Sequence, residues 1–218
     1  MRPLFQPRAN TIAKASIVGT AVLILLTVVV LIFVNRTSWA TKVGIARQQP
    51  VPFSHKHHVA GLGIDCRYCH SQVEQTAFAG MPSTKTCMTC HSQVWTFAEL
   101  LAPVRESWAT ERPLQWERVH NLGDYVYFDH SIHVNKGIGC ETCHGRVDEM
   151  PLVWKEKPLQ MGWCLDCHRQ PEKYIRPREE VFTMGYVPEE PQEVLGRRLV
   201  QEYNVQTYNL EDCSTCHR

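Results

Sequence analysis

The hydropathy of the chain falls into two unequal parts. Between positions 15 and 34, twenty consecutive residues carry no charge and are mostly Val, Ile, Leu and Ala. A run of about 20 apolar residues is the length that crosses the hydrocarbon core of a bilayer as a helix. Asn35 and Arg36 end the run, and Trp39 lies where an interfacial aromatic belongs. A cleaved secretory signal is the competing reading, because Arg2, Arg8 and Lys14 precede the run and Ser38-Trp39-Ala40 offers small residues after it. The apolar region of such a signal is usually about 7–15 residues, shorter than this one, so the pattern predicts a retained single-span anchor. Arg36, Lys42 and Arg47 on the far side match the basic residues on the near side. Flanking charge therefore does not orient the span.

Beyond position 40 neither helical nor strand periodicity is sustained. Residues 99–108 and 191–203 read as short helices, the second with proline in its first turn and acidic residues ahead of basic ones. Residues 115–130 read as a short hairpin around Asn121-Leu-Gly-Asp124. The expected fold class is mainly α with much irregular coil: one N-terminal transmembrane helix, then a cofactor-cored domain with little β.

The chemistry is carried by cysteine and histidine. Ten cysteines fall into one pattern, Cys-x-x-Cys-His, read five times: Cys66/Cys69/His70, Cys87/Cys90/His91, Cys140/Cys143/His144, Cys164/Cys167/His168 and Cys213/Cys216/His217. No cysteine is left over for a disulfide framework. Seventeen residues separate the first two pairs and 20 the next two, spacings that also suit zinc ribbons. The residue after each pair decides between the two. With 11 histidines in 218 residues, five successive histidines at that position have a chance probability on the order of 10⁻⁷. Four thiolates on zinc have no use for the histidine. Covalent haem does: two thiols add to the porphyrin vinyl groups and the adjacent imidazole becomes the proximal iron ligand. The pattern therefore predicts five covalently bound haem c groups. Such haems are attached outside the cytoplasmic membrane. The body of the chain is accordingly expected on the periplasmic side and the N-terminus in the cytoplasm.

An internal repeat points to the second iron ligands. Phe53-Ser-His55-Lys-His-His58-Val and Phe128-Asp-His130-Ser-Ile-His133-Val each precede a glycine-containing turn and a Cys-x-x-Cys-His motif. A second motif follows each copy. The expected organisation is a tail and anchor (1–40), a two-haem module with a helical connector (41–110), a second two-haem module (111–175), and an extension carrying the fifth haem (176–218). Histidines at i and i+3 share one face of a helical turn. They cannot sit trans to the same proximal ligand, so each pair serves two irons. The repeat thus makes His55, His58, His130 and His133 distal ligands. Six histidines remain after the five proximal ones. His120 is the first choice for the fifth distal position, with Met161 and His57 as alternatives. With every iron six-coordinate, the chain carries electrons rather than transforming a substrate.

About 37 residues per haem follow the anchor, too few for a conventional core around each cofactor. The macrocycles must be the interior, with short helices after several motifs. Arg169, Arg176 and Arg178 suit propionate partners or ordinary solvated charge. The 23 basic and 22 acidic residues lack the surplus a nucleic-acid binder needs. Propionates would shift the net charge of +1 to about −4, a surface that steers basic partners.

The Phe-x-His-x-x-His element ahead of Cys-x-x-Cys-His resembles the class III, cytochrome c3/c7-type multihaem cytochromes. Residues 53–70, 126–145, Trp163-Cys-Leu-Asp-Cys-His-Arg169, Arg176-Pro-Arg-Glu-Glu-Val181 and Cys213-Ser-Thr-Cys-His-Arg218 are similar to the pentahaem subunit of bacterial alternative complex III, and that similarity runs over nearly the whole chain. The resemblance implies a quinol:electron-acceptor oxidoreductase complex in the cytoplasmic membrane. Its partners would be an iron–sulfur protein, polytopic membrane subunits and a monohaem cytochrome, with electrons passing to a periplasmic carrier or terminal oxidase. A self-contained single-span quinol dehydrogenase of the NapC/NrfH type is the alternative. No polar quinol-contacting group stands out between positions 15 and 34.

Overall fold

The computed structural model describes residues 8–217. They form two units, one ending at Val43 and the other beginning at Gly44. In the first, α1 (Ala9–Val34) is one uninterrupted helix of 26 residues. At 1.5 Å per residue it is about 39 Å long, which exceeds the roughly 30 Å hydrocarbon core. It begins six residues before the uncharged run, because nothing between Ala9 and Lys14 breaks a helix. Two of its hydroxyls are satisfied within the helix: that of Ser16 donates to the Ala13 carbonyl and that of Thr27 to the Leu23 carbonyl, as a lipid-facing helix requires. The single turn α2 (Ser38–Thr41) follows and closes at Lys42, whose φ of 60° is left-handed. The Lys42 ammonium lies 5.4 Å from the Trp39 ring centre.

The second unit is a string of short helices. A π-helical turn (Lys56–Gly61) precedes α3 (Cys66–Cys69) and α4 (Thr84–His91). Then come α5 (Ala102–Thr110), α6 (His130–Asn135), α7 (Cys140–His144), α8 (Met161–Arg169), α9 (Gln192–Glu202) and α10 (Cys213–Cys216). The helices coincide with the Cys-x-x-Cys-His motifs rather than following them. A helical turn places cysteines at i and i+3 on one side, where two thioethers to one macrocycle must lie. Among the described residues no strand forms, and Ile138 and Ile175 make an isolated antiparallel bridge. The expected hairpin does not form, because its backbone groups are engaged elsewhere. The Gln49 side chain donates to the Glu117 carbonyl and accepts from its N–H, at 2.9 and 3.0 Å. Tyr127 N–H donates to the Cys216 carbonyl at 2.8 Å.

Apolar burial is confined to small clusters. One joins Ile138, Ile175, Leu195, Leu199 and Tyr203. Leu195, Leu199 and Tyr203 recur every four residues and form one face of α9 and its end. Gly196 lets that face reach the turn Pro171–Lys173, because a Cβ there would overlap the Glu172 carbonyl. Two further clusters form around Val51, Leu101 and Val104, and around Val73, Val134 and Val181.

Arg176 departs from the sequence reading. It is 7% exposed, pairs with Glu141 at 2.8 Å and donates to the Thr183 carbonyl at 3.1 Å. Its own N–H reaches the Gly137 carbonyl. Gly139 is bare of a side chain where the guanidinium packs. Arg169 is paired with Glu211 and Arg178 lies over the Tyr203 ring, so all three arginines serve the protein fabric. Truncating one partner of a buried pair strands the other charge, at about 3–5 kcal/mol. Arg176→Ala is expected to lower unfolding stability on that scale, read from denaturant midpoints. Arg169→Ala, breaking an exposed pair, should cost no more than about 1 kcal/mol.

Candidate haem-binding sites

The five motifs are numbered one to five in chain order. None of the ten cysteines is in a disulfide. Burial pushes the Cys140 and Cys143 thiols up to about 12 and Cys167 to about 11. Apolar surroundings of that kind suit thioethers; zinc would need thiolates. Among the described residues no three His, Cys, Asp or Glu side chains converge as a chelate for a bare ion. Leu62, Tyr68, Met81, Trp95, Ile132 and Met161 are exposed around the motifs, apolar surface that a macrocycle would cover.

The imidazoles show the fit most directly. Nδ1 of the proximal His70, His91, His168 and His217 donates to the carbonyls of Gly80, Val94, Leu210 and Tyr125, at 2.8 to 3.0 Å. His58, His130 and His133 do the same to Ser54, Ala77 and Asp129, at 2.7 to 2.8 Å. A carbonyl only accepts, so Nδ1 carries the proton and Nε2 keeps a free lone pair. That is the tautomer and orientation a metal-bound histidine needs.

The repeat builds the same geometry twice. Phe53 stacks on His58 (4.3 Å, 24°) and meets His55 edge-on (4.9 Å, 85°). Phe128 stacks on His133 (4.6 Å, 30°) and meets His130 edge-on (4.7 Å, 86°). In each copy the second histidine also bonds the carbonyl four residues back. Asp129 caps α6 by accepting from Ser131 and Ile132 N–H. The orienting role of the two phenylalanines escaped the sequence reading, although their recurrence two residues before the first histidine was visible.

The ring pairs follow. His58 faces His91 with centres 6.3 Å apart, His130 faces His144 at 6.4 Å, and His133 faces His168 at 6.2 Å. Two trans imidazoles, each bonded to a metal at about 2 Å, have their centres about 6.3 Å apart. Each ring pair thus has the spacing an iron between them requires. His70 is the first electrostatic neighbour of His55, whose pKa falls to about 4, chiefly through burial. Each member of a histidine pair therefore meets a different motif. Burial also lowers His144 to about 3 and brings His133 down, so these rings are neutral at neutral pH.

His120 and His57 lie elsewhere. The His120 ring is 4.3 Å from that of His144, too close for an iron between them. Its Nε2 is buried without a partner, and burial, then Lys155, lowers its pKa to about 4. His57 stacks on Trp95 at 6.0 Å. The Tyr125 ring stacks on His217 at 5.8 Å. Among the described residues no second imidazole faces His217.

Helical motifs with paired imidazoles define a multihaem c-type cytochrome. Residues 51–110 and 126–218 match the family of cytochrome c7 and related cytochrome c, and the chain belongs to that family, which binds haem c covalently. It is also similar to the multihaem cytochrome c subunit of menaquinone reductase from Nitratidesulfovibrio vulgaris. The two are 34% identical over 143 residues, covering 56% of this chain and 68% of that protein. His133→Ala is expected to turn one low-spin haem high-spin while the covalent haem content stays constant. Electron paramagnetic resonance beside a pyridine haemochrome assay checks both.

Proposed function

We propose that this chain is a membrane-anchored pentahaem cytochrome c. It relays electrons from a quinol-oxidising complex of the alternative complex III type to a periplasmic cytochrome or copper protein, or to a terminal oxidase. The observation that carries the reading is the histidine pairing. At sites one to four a second imidazole lies opposite or beside the proximal one, which leaves no iron position there for a substrate. When bound, each haem c supplies a one-electron Fe(III)/Fe(II) couple. The cysteines would hold the macrocycles and the carbonyl-tethered imidazoles would hold the iron.

In this reading His70, His91, His144, His168 and His217 are proximal ligands, and His55, His58, His130 and His133 distal ones. Met161 takes the sixth position at site five, in place of His120 or His57. It lies three residues before Cys164 on one face of α8. His168 and Arg169 of that helix bond Leu210 and Glu211 just ahead of motif five. A thioether in place of an imidazole raises a haem's potential, which makes site five the most oxidising.

The apolar α1 supports a single-pass anchor in the bacterial cytoplasmic membrane. Haem attachment outside that membrane puts residues after the anchor on the periplasmic side. The partners in this reading are an iron–sulfur protein, polytopic membrane subunits, a monohaem cytochrome and a periplasmic acceptor. The relative's name, menaquinone reductase, favours a second reading in which the same relay runs toward the quinone.

Three experiments test the proposal. The pyridine haemochrome assay should give five haems per chain, and replacing both cysteines of any motif by alanine should remove one. The purified complex should reduce the haems with quinol, and the isolated chain should not; full-rate reduction of the isolated chain would sink the relay reading. Met161→Ala should make one haem high-spin, while His120→Ala leaves all low-spin. The reverse result would return the sixth position to His120.

A further inference from the structure

This inference deepens the relay reading and rests on the five motifs being haem sites. Contacts join the sites in a definite succession. His55 and His58, on one turn, meet sites one and two. The Tyr68 hydroxyl, inside motif one, hydrogen-bonds Thr89 Oγ1, inside motif two, at 2.7 Å. Sites one and three share the loop 77–80. The Gly80 carbonyl receives the proximal His70 of site one, and the Ala77 carbonyl receives His130, which faces His144 of site three. Arg67 of motif one also lies 4.5 Å from the ring centre of Phe182, whose neighbour Val181 accepts from Cys140 N–H of motif three. Sites three and four share α6, because His130 and His133 face His144 and His168. Sites four and five share the segment 210–211, which binds His168 and Arg169 at 2.8 Å each.

Exposure agrees as well. The two exposed cysteines are Cys90 of motif two and Cys213 of motif five; the other eight are partly covered.

We propose that the five sites form one spatial path in the order two, one, three, four, five. Sites two and five are its ends. The chain order is inverted at the start because each repeat sends its first histidine to the nearer motif, and the two modules then join through those first sites. Exchange with donor and acceptor takes place at motifs two and five, and the path between them runs through the half-buried imidazoles of sites one, three and four.

The test uses the full chain in its complex. His58→Met marks site two by raising its potential, and His133→Met marks site four. A redox titration that follows each haem by its own paramagnetic signal then reads which neighbours move. Marking site two should shift site one and leave site three in place. Marking site four should shift sites three and five and leave site two in place. A shift of site three as large as that of site one on marking site two overturns the order. So does an unmoved site five on marking site four. The two substitutions probe different ends, so misfolding of one variant leaves the other decisive. If neither changes any haem's ligand-field spectrum, the histidine assignments themselves fall, an outcome distinct from a wrong order.

Discussion

One hydrogen bond, made seven times, organises the second unit: an imidazole Nδ1 donating to a peptide carbonyl. It holds the proton on Nδ1 and aims Nε2 away from the carbonyl. Each such bond also ties a functional side chain to a stretch of backbone. Gly80 and Ala77 bring a loop of the first module to both modules' imidazoles. Leu210 and Tyr125 bring the C-terminal motif to α8 and to the segment before the second repeat. The loops of this protein are thus held in place by the ligands they orient.

The apolar core is correspondingly slight. Its three clusters are built from single valines, leucines and isoleucines on short turns, which alone would leave a chain of this size marginal. Two features supplement them. The Arg176–Glu141 pair stitches motif three to the segment after α8, and large apolar side chains line the motifs where macrocycles would cover them. Haem covering those side chains would act as both function and interior. In a relay this is an economy, since closely spaced cofactors need little protein between them.

Membership of the cytochrome c7 family and the likeness to a menaquinone reductase subunit place the chain among multihaem carriers linked to quinone chemistry. The paired imidazoles agree with a carrier. An iron with two side-chain ligands changes charge with little rearrangement and offers nothing to a substrate. The direction of flow is a matter of the potentials at the two ends, not of the fold.

The sequence by itself determined what adjacency can encode. The uncharged run specified α1, the Cys-x-x-Cys-His motifs specified short helical turns with their imidazoles, and the repeated Phe-x-His-x-x-His specified two paired-ligand turns. Each is a local pattern in which neighbouring side chains meet because the backbone repeats. Tertiary structure decided which histidine meets which motif, that His120 lies against His144, that Arg176 is buried on Glu141, and that residues 115–130 form no hairpin. The partners in those decisions are mostly peptide carbonyls and N–H groups, such as those of Ala77, Gly80, Leu210 and Glu117. Every residue carries such groups, so they leave no mark in the sequence; only the path of the folded chain selects among them.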